Sequence, residues 1–171
     1  MTVRIWLFAG LALLAGISVS IYLNSAPEKE LGQVTGVDTF QLPDLDGKEQ
    51  DINQWQGKVL LVNFWATWCP PCREEIPVFL SLRKKFSPTD FEVVGVSIDD
   101  VKKVKAYRDA MQIDYPLLNG EEQGMSMMMK LGSPSGGLPF SILYDRSGNV
   151  VHSKSGPFDE QELQKLIENY L

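Results

Sequence analysis

The sequence predicts an α/β fold with one mixed central β-sheet flanked by helices. Three observations carry this. Residues 58–65 (KVLLVNFW) and 91–98 (FEVVGVSI) are nearly continuous apolar runs rich in β-branched and aromatic residues, as strands buried on both faces require. Each is followed by a segment with helical spacing. Two further strands, at 140–144 and 150–154, are joined by the turn Arg146-Ser147-Gly148-Asn149 and must run antiparallel, which makes the sheet mixed.

The elements follow in order. Asp46-Gly47 lies between two short apolar–polar stretches and predicts a β-hairpin ahead of the first long strand. Pro70-Pro71 open a helix over 70–86, whose apolar positions Ile76, Phe79, Leu80 and Leu82 share a face. Asp99-Asp100 precede a helix at 101–111, a further helix is expected at 122–131, and Asp159 starts a last one to 170, with Glu162 placed to complete a capping box.

Residues 5–23 carry no charge and are long enough, as a helix, to cross a bilayer. An uncleaved anchor is the expectation. A signal peptide has a shorter apolar core, and Ser18-Val19-Ser20 is a poor cleavage site. Arg4 precedes the span and Glu28, Lys29 and Glu30 follow it, so the chain beyond is expected outside the cytoplasm, in the periplasm or at the cell exterior. The expected organisation is an anchor at 1–23, a polar Pro- and Gly-containing linker at 24–35 and one domain at 36–171.

From Pro27 onward there are 15 basic and 22 acidic residues, a net charge of −7, which speaks against nucleic-acid binding. The only cysteines are Cys69 and Cys72. Two cysteines with one histidine, His152, do not fill a four-ligand zinc site, and a two-residue gap closes too small a loop for a structural staple. No metal or cofactor is implied. Redox chemistry remains. The pair sits where a buried strand gives way to a helix, and unpaired N–H groups and the dipole at a helix start stabilise a thiolate. Cys69, at the open end, is the expected nucleophile. Cys72, one turn in, is the expected resolving thiol.

The string FWATWCPPC, preceded by DGK and GKVLLVNFWA and followed by GLPFSILYDRSG, resembles the TlpA/ResA group of thioredoxin-like proteins over about 37–171. The resemblance implies a thioredoxin-like fold and a membrane-anchored thiol–disulfide oxidoreductase. It implies that Pro139 is a cis-proline beside the cysteines and that Leu138 offers its backbone to a substrate chain. As partners it implies disulfides of exported proteins, apocytochrome c among them, and a transmembrane electron donor of the CcdA/DsbD kind. Trp68 and Pro70 are expected at the rim of the substrate site.

Two departures from the pattern stand out. Thioredoxin has a titratable aspartate where this chain has Asn63. Asp100, with Asp99 beside it, is the candidate replacement as a proton relay, and helix capping is the competing role. The stretch 132–137 (GSPSGG) is long for the approach to the cis-proline, and it either reshapes the substrate groove or is slack.

Pro70 and Pro71 lack N–H groups, leaving those of Cys72 and Arg73 to face the sulfur, while Glu74 and Glu75 bring negative charge to the same end. The Cys69 thiolate is then only modestly stabilised, which points to a reductant rather than a strong oxidant. Met125, Met127, Met128 and Met129 make a copper site conceivable, with core and surface packing as the plainer role. A thioredoxin-fold peroxidase is the other alternative, but the proline expected shortly before its cysteine is missing.

Overall fold

The computed structural model describes residues 40–133 and 135–171. The expected anchor and linker lie outside the described residues. The order is β1 (Gln41–Pro43), β2 (Glu49–Asp51), a 3-10 turn (Ile52–Trp55), β3 (Val59–Trp65), α1 (Pro70–Phe86), β4 (Phe91–Ser97), α2 (Val101–Met111), β5 (Leu117–Asn119), α3 (Gly124–Lys130), β6 (Phe140–Tyr144), β7 (Val150–Ser155) and α4 (Glu160–Glu168).

Strands β5-β4-β3-β6-β7 form one sheet in that order. β3, β4 and β5 are parallel, and β6 is antiparallel to both β3 and β7. Because alternate residues face opposite sides, the sheet divides two apolar layers. Val59, Leu61, Trp65, Phe91, Val93 and Leu143 pack with Ile76, Phe79 and Leu82 of α1, Val104 of α2, and Leu163 and Ile167 of α4. Leu60, Val62, Phe64, Val94, Val96, Ile142 and Tyr144 face the other way, toward Met128 of α3 and Phe40, Leu42, Ile52 and Trp55.

β1 and β2 pair antiparallel. Their turn is held by the Asp44 carboxylate, which accepts from the Asp46 and Lys48 amides at 2.9 and 3.0 Å. Gly47 sits at φ +85, a conformation side chains disfavour.

Some local details differ from the sequence reading. β5 is an additional edge strand of three residues, too short after Pro116 to show a pattern. The 3-10 turn was likewise not legible. α3 is shorter than 122–131, because residues 121–123 form a turn. Asp159 does cap α4, accepting the Glu162 amide at 2.8 Å. The capping box is not closed, however, since the Glu162 carboxylate pairs with Lys154 instead.

The topology decides where chemistry can gather. The C-terminal ends of β3 and β4, the start of β6 and the end of β7 lie at one edge of the sheet, since Phe64 pairs with Phe140 and Phe140 with Ser155. Cys69, Asp99, Pro139 and Phe158 follow or precede those ends.

Candidate active site

Cys69 is the N-cap of α1, in extended backbone, and Pro70 and Pro71 fill the first two helical positions. The fixed φ of proline suits that start, and the lost N–H groups would have had no partner in the helix. Cys69 and Cys72 are joined as a disulfide. The Cys72 amide donates to Cys69 Sγ at 3.4 Å. The Arg73 amide donates to the Cys69 carbonyl at 3.2 Å instead, so one N–H faces the sulfur rather than the expected two. Cys69 keeps 4% of its surface exposed and Cys72 none, so the first cysteine is the one near solvent. Trp68 beside it is 62% exposed, an unusual place for a tryptophan without a contact role.

The segment before the cysteines is braced. Asp99 is buried and accepts from the Thr67 amide at 3.1 Å and from the Thr67 hydroxyl. The Ile98 amide donates to the Trp65 carbonyl at 2.8 Å. Asp100 turns away from this corner, capping α2 by accepting the Lys102 and Lys103 amides at 3.0 and 3.1 Å. Of the two expected roles, its hydrogen bonds are those of a cap.

The Leu138–Pro139 peptide is cis. Pro139 is buried and Leu138 half-buried, and the Pro139 carbonyl accepts from the Gly156 amide at 2.9 Å. The stretch after α3 leaves the helix through Gly132 at φ +97.

The expectation for Glu74 and Glu75 needs correction. Neither belongs to the first turn of α1, where the dipole acts. Glu74 is exposed, but Glu75 is fully enclosed on the inward stripe of the helix, between Cys72 and Ile76. Its Oε1 accepts from Asn63 Nδ2 at 2.7 Å, and its Oε2 accepts from the Phe158 amide at 3.2 Å. The same Asn63 Nδ2 donates to Ser141 Oγ at 2.9 Å, Asn63 and Ser141 being paired across β3 and β6.

Burial disfavours the charged carboxylate and lifts Glu75 to about 7, with the Asn63 and Phe158 donors and the Lys154 ammonium opposing. A buried carboxyl carried by the facing helix thus stands hydrogen-bonded to Asn63. Sequence reasoning read Glu75 only as a charge at the helix start and not as a buried site residue. The available signal was helical spacing: Glu75 is three residues after Cys72 and four before Phe79, on the apolar face. Side chains on a helix lean toward its N-terminus, so Glu75 leans toward Cys72.

On the outer side, the Arg73 guanidinium lies 5.9 Å from the Tyr107 ring, and with Pro70, Glu74 and Met111 these residues line a pocket of about 350 Å³. The methionines of α3 are divided between core and surface, with Met127 packed against the same apolar layer as Met128. Met128 enters the core, while Met125 and Met129 are exposed. His152 is half-buried on β7, its ring 6.0 Å from that of Phe158.

Comparison with known proteins agrees with this geometry. The model of the AhpC/TSA family matches residues 35–153. Thiol-disulfide oxidoreductase ResA of Bacillus thuringiensis (strain Al Hakam) is 28% identical over 163 residues, covering 94% of this chain and 90% of the relative. ResA of Geobacillus kaustophilus (strain HTA426) is 27% identical over 161 residues, covering 93% and 90%. Among solved structures, a thiol:disulfide interchange protein of the thioredoxin family from Chlorobium tepidum TLS is 30% identical with a TM-score of 0.70, over 80% of this chain and 95% of that one.

Proposed function

This chain belongs to the AhpC/TSA family, as a ResA-like protein of thioredoxin fold, and from that premise we propose that it reduces disulfides in exported proteins through Cys69 and Cys72. The observation that carries the reading is a cysteine pair at a strand-to-helix junction with a buried carboxyl one turn below it.

In the proposed reaction the Cys69 thiolate attacks one sulfur of the substrate disulfide. That S–S bond breaks, a mixed disulfide forms, and the first substrate sulfur leaves as a thiolate that takes a proton. Cys72 then loses its proton to the Glu75 carboxylate, and its thiolate attacks Cys69 Sγ. The mixed disulfide breaks, and the second substrate sulfur leaves as a thiolate that takes a proton in its turn. Two electrons pass from the dithiol to the substrate, and the Cys69–Cys72 disulfide remains. A carboxyl that titrates near neutral pH suits this proton transfer better than one at its ordinary value.

Asp99 has the role of bracing Thr67, and Asp100 that of capping α2. Trp68 and Pro70 form the rim that receives the substrate. The extended backbone at Leu138, held by cis-Pro139, pairs with the substrate chain. Direction toward reduction is supported by the fact that, among the described residues, one N–H, that of Cys72, faces Cys69 Sγ and stabilises a thiolate only weakly.

The charge-free run at 5–23 supports a single-pass anchor with the domain outside the cytoplasm. In that setting the chain needs electrons from a transmembrane thiol relay of the CcdA/DsbD kind, and apocytochrome c is a fitting acceptor. The test is a paired assay. The reduced protein is expected to reduce insulin disulfides catalytically and to consume hydrogen peroxide no faster than a Cys69→Ser variant. Peroxide turnover without insulin reduction would replace this reading with that of a peroxidase.

A further inference from the structure

The two oxygens of Glu75 are not equivalent. Oε2 accepts the Phe158 amide at 3.2 Å, a backbone donor that cannot change its role. The carbonyl oxygen of a neutral carboxyl is a better acceptor than its hydroxyl oxygen, so a proton arriving on this carboxyl is better placed on Oε1, leaving Oε2 to accept the Phe158 amide. Oε1, however, already faces the Asn63 Nδ2 donor at 2.7 Å. The arrangement seen, with a donor on each oxygen, therefore suits the carboxylate better than the acid.

Asn63 can serve both. Its amide carries a donor end and an acceptor end within one outline. As it stands, Nδ2 donates to Glu75 and to Ser141, while the buried Oδ1 has no hydrogen-bond partner among the described residues. Turned over about its last torsion, Oδ1 would take the place of Nδ2. It would accept from Glu75 Oε1–H and from the Ser141 hydroxyl, whose hydrogen rotates to suit.

An aspartate at position 63 could not do this. It would set a second carboxylate against the first, and the two could not both ionise.

We propose that Asn63 is a positioning residue for the redox reaction, its amide turning over as Glu75 gains or loses its proton, with the Ser141 hydroxyl completing both arrangements. The exchangeable proton is thereby kept on Oε1, the oxygen that Phe158 does not hold. This rests on the reading of Glu75 as the proton acceptor for Cys72. Among the described residues, the other titratable or charged groups around the carboxyl are Cys69 at the cap of its own helix and Cys72 within it, Lys154 of β7 with its partner Glu162 of α4, Tyr115 ahead of β5, and His152 against Phe158.

The experiment uses the full chain in detergent micelles, isotope-labelled and oxidised, followed by NMR across about pH 5 to 9. The readouts are the Glu75 carboxyl carbon and the Asn63 side-chain amide, with the cross-peaks of that amide to Ser141. The expected result is that both signals shift with one midpoint. The cross-peaks from the Asn63 NH₂ to Ser141 are present above that midpoint and lost below it. In Glu75→Gln the amide response to pH disappears, and its persistence there would overturn the proposal. If the Glu75 carbon titrates while the cross-peaks stay unchanged, the turning amide is refuted and the role of Glu75 stands. If the Glu75 carbon does not titrate in this range, both fall together.

Discussion

Replacing Glu75 with glutamine should make the protein more stable at alkaline pH, and the size of the gain follows from the structure. The carboxyl moves from an ordinary 4.5 to about 7 on folding, because burial penalises its charged form. At roughly 1.4 kcal/mol per factor of ten, that corresponds to about 3 kcal/mol.

The sign is that of an acid with a raised value. Below pH 4.5 the carboxyl is protonated in both folded and unfolded chains and contributes nothing to the difference. Between 4.5 and about 7 the folded chain binds more protons, so stability falls as pH rises. Above about 7 the full cost is present.

Glutamine is neutral at every pH and nearly the same shape. It can still accept the Phe158 amide, and rearranging its contact with Asn63 costs about 1 kcal/mol. The expected net gain is therefore about 2 kcal/mol at pH 9, with the two proteins within about 1 kcal/mol of each other at pH 4.5. Urea unfolding of the oxidised proteins at several pH values, followed by tryptophan fluorescence, measures it. A difference that does not vary with pH would refute the reasoning, because carboxylates common to both proteins cancel in the comparison.

Other outcomes follow from the same contacts. Arg83 pairs with the buried Glu92 at 2.6 Å, tying α1 to β4. Arg83→Ala should cost about 3 kcal/mol by leaving that carboxylate unpaired, and a loss below about 1 kcal/mol in urea unfolding would contradict the pairing as a buried one. Asp100→Ala removes the cap of α2 and should cost about 1 kcal/mol while leaving insulin reduction at the wild-type rate. A collapse of that rate would return Asp100 to the proton pathway. Trp68→Ala should raise KM for a protein disulfide with little change in stability, because the indole is mostly exposed. A large stability loss would show that Trp68 packs rather than contacts substrate.

The long elements were legible because each obeys one local rule. The runs at 58–65 and 91–98 are nearly continuous in apolar residues, and α1 begins at two prolines whose missing N–H groups a first turn does not need. The segments that the sequence did not disclose depend on tertiary context. β5 is three residues long and exists because β4 offers it an edge.

The site divides in the same way. Pro139 was reached through the family resemblance alone, whereas Cys69 and Cys72 stood out because of their spacing and their strand-to-helix setting. Glu75 did not, because a glutamate near a helix start reads as a surface charge until Asn63, Ser141 and the Phe158 amide are brought to it from three other parts of the chain. Asp99 and Asp100, adjacent in sequence, part only when α2 draws one into a cap and Thr67 draws the other inward.

The central claim is that Cys69 attacks a protein disulfide and Cys72 resolves the product. Its most direct test is to incubate reduced Cys72→Ala protein with an oxidised protein substrate and map the adduct by mass spectrometry. A stable mixed disulfide on Cys69, released by dithiothreitol and absent from Cys69→Ser, is the expected result. No adduct on Cys69, or an adduct formed through Cys72 in the Cys69→Ser protein, would contradict the assignment.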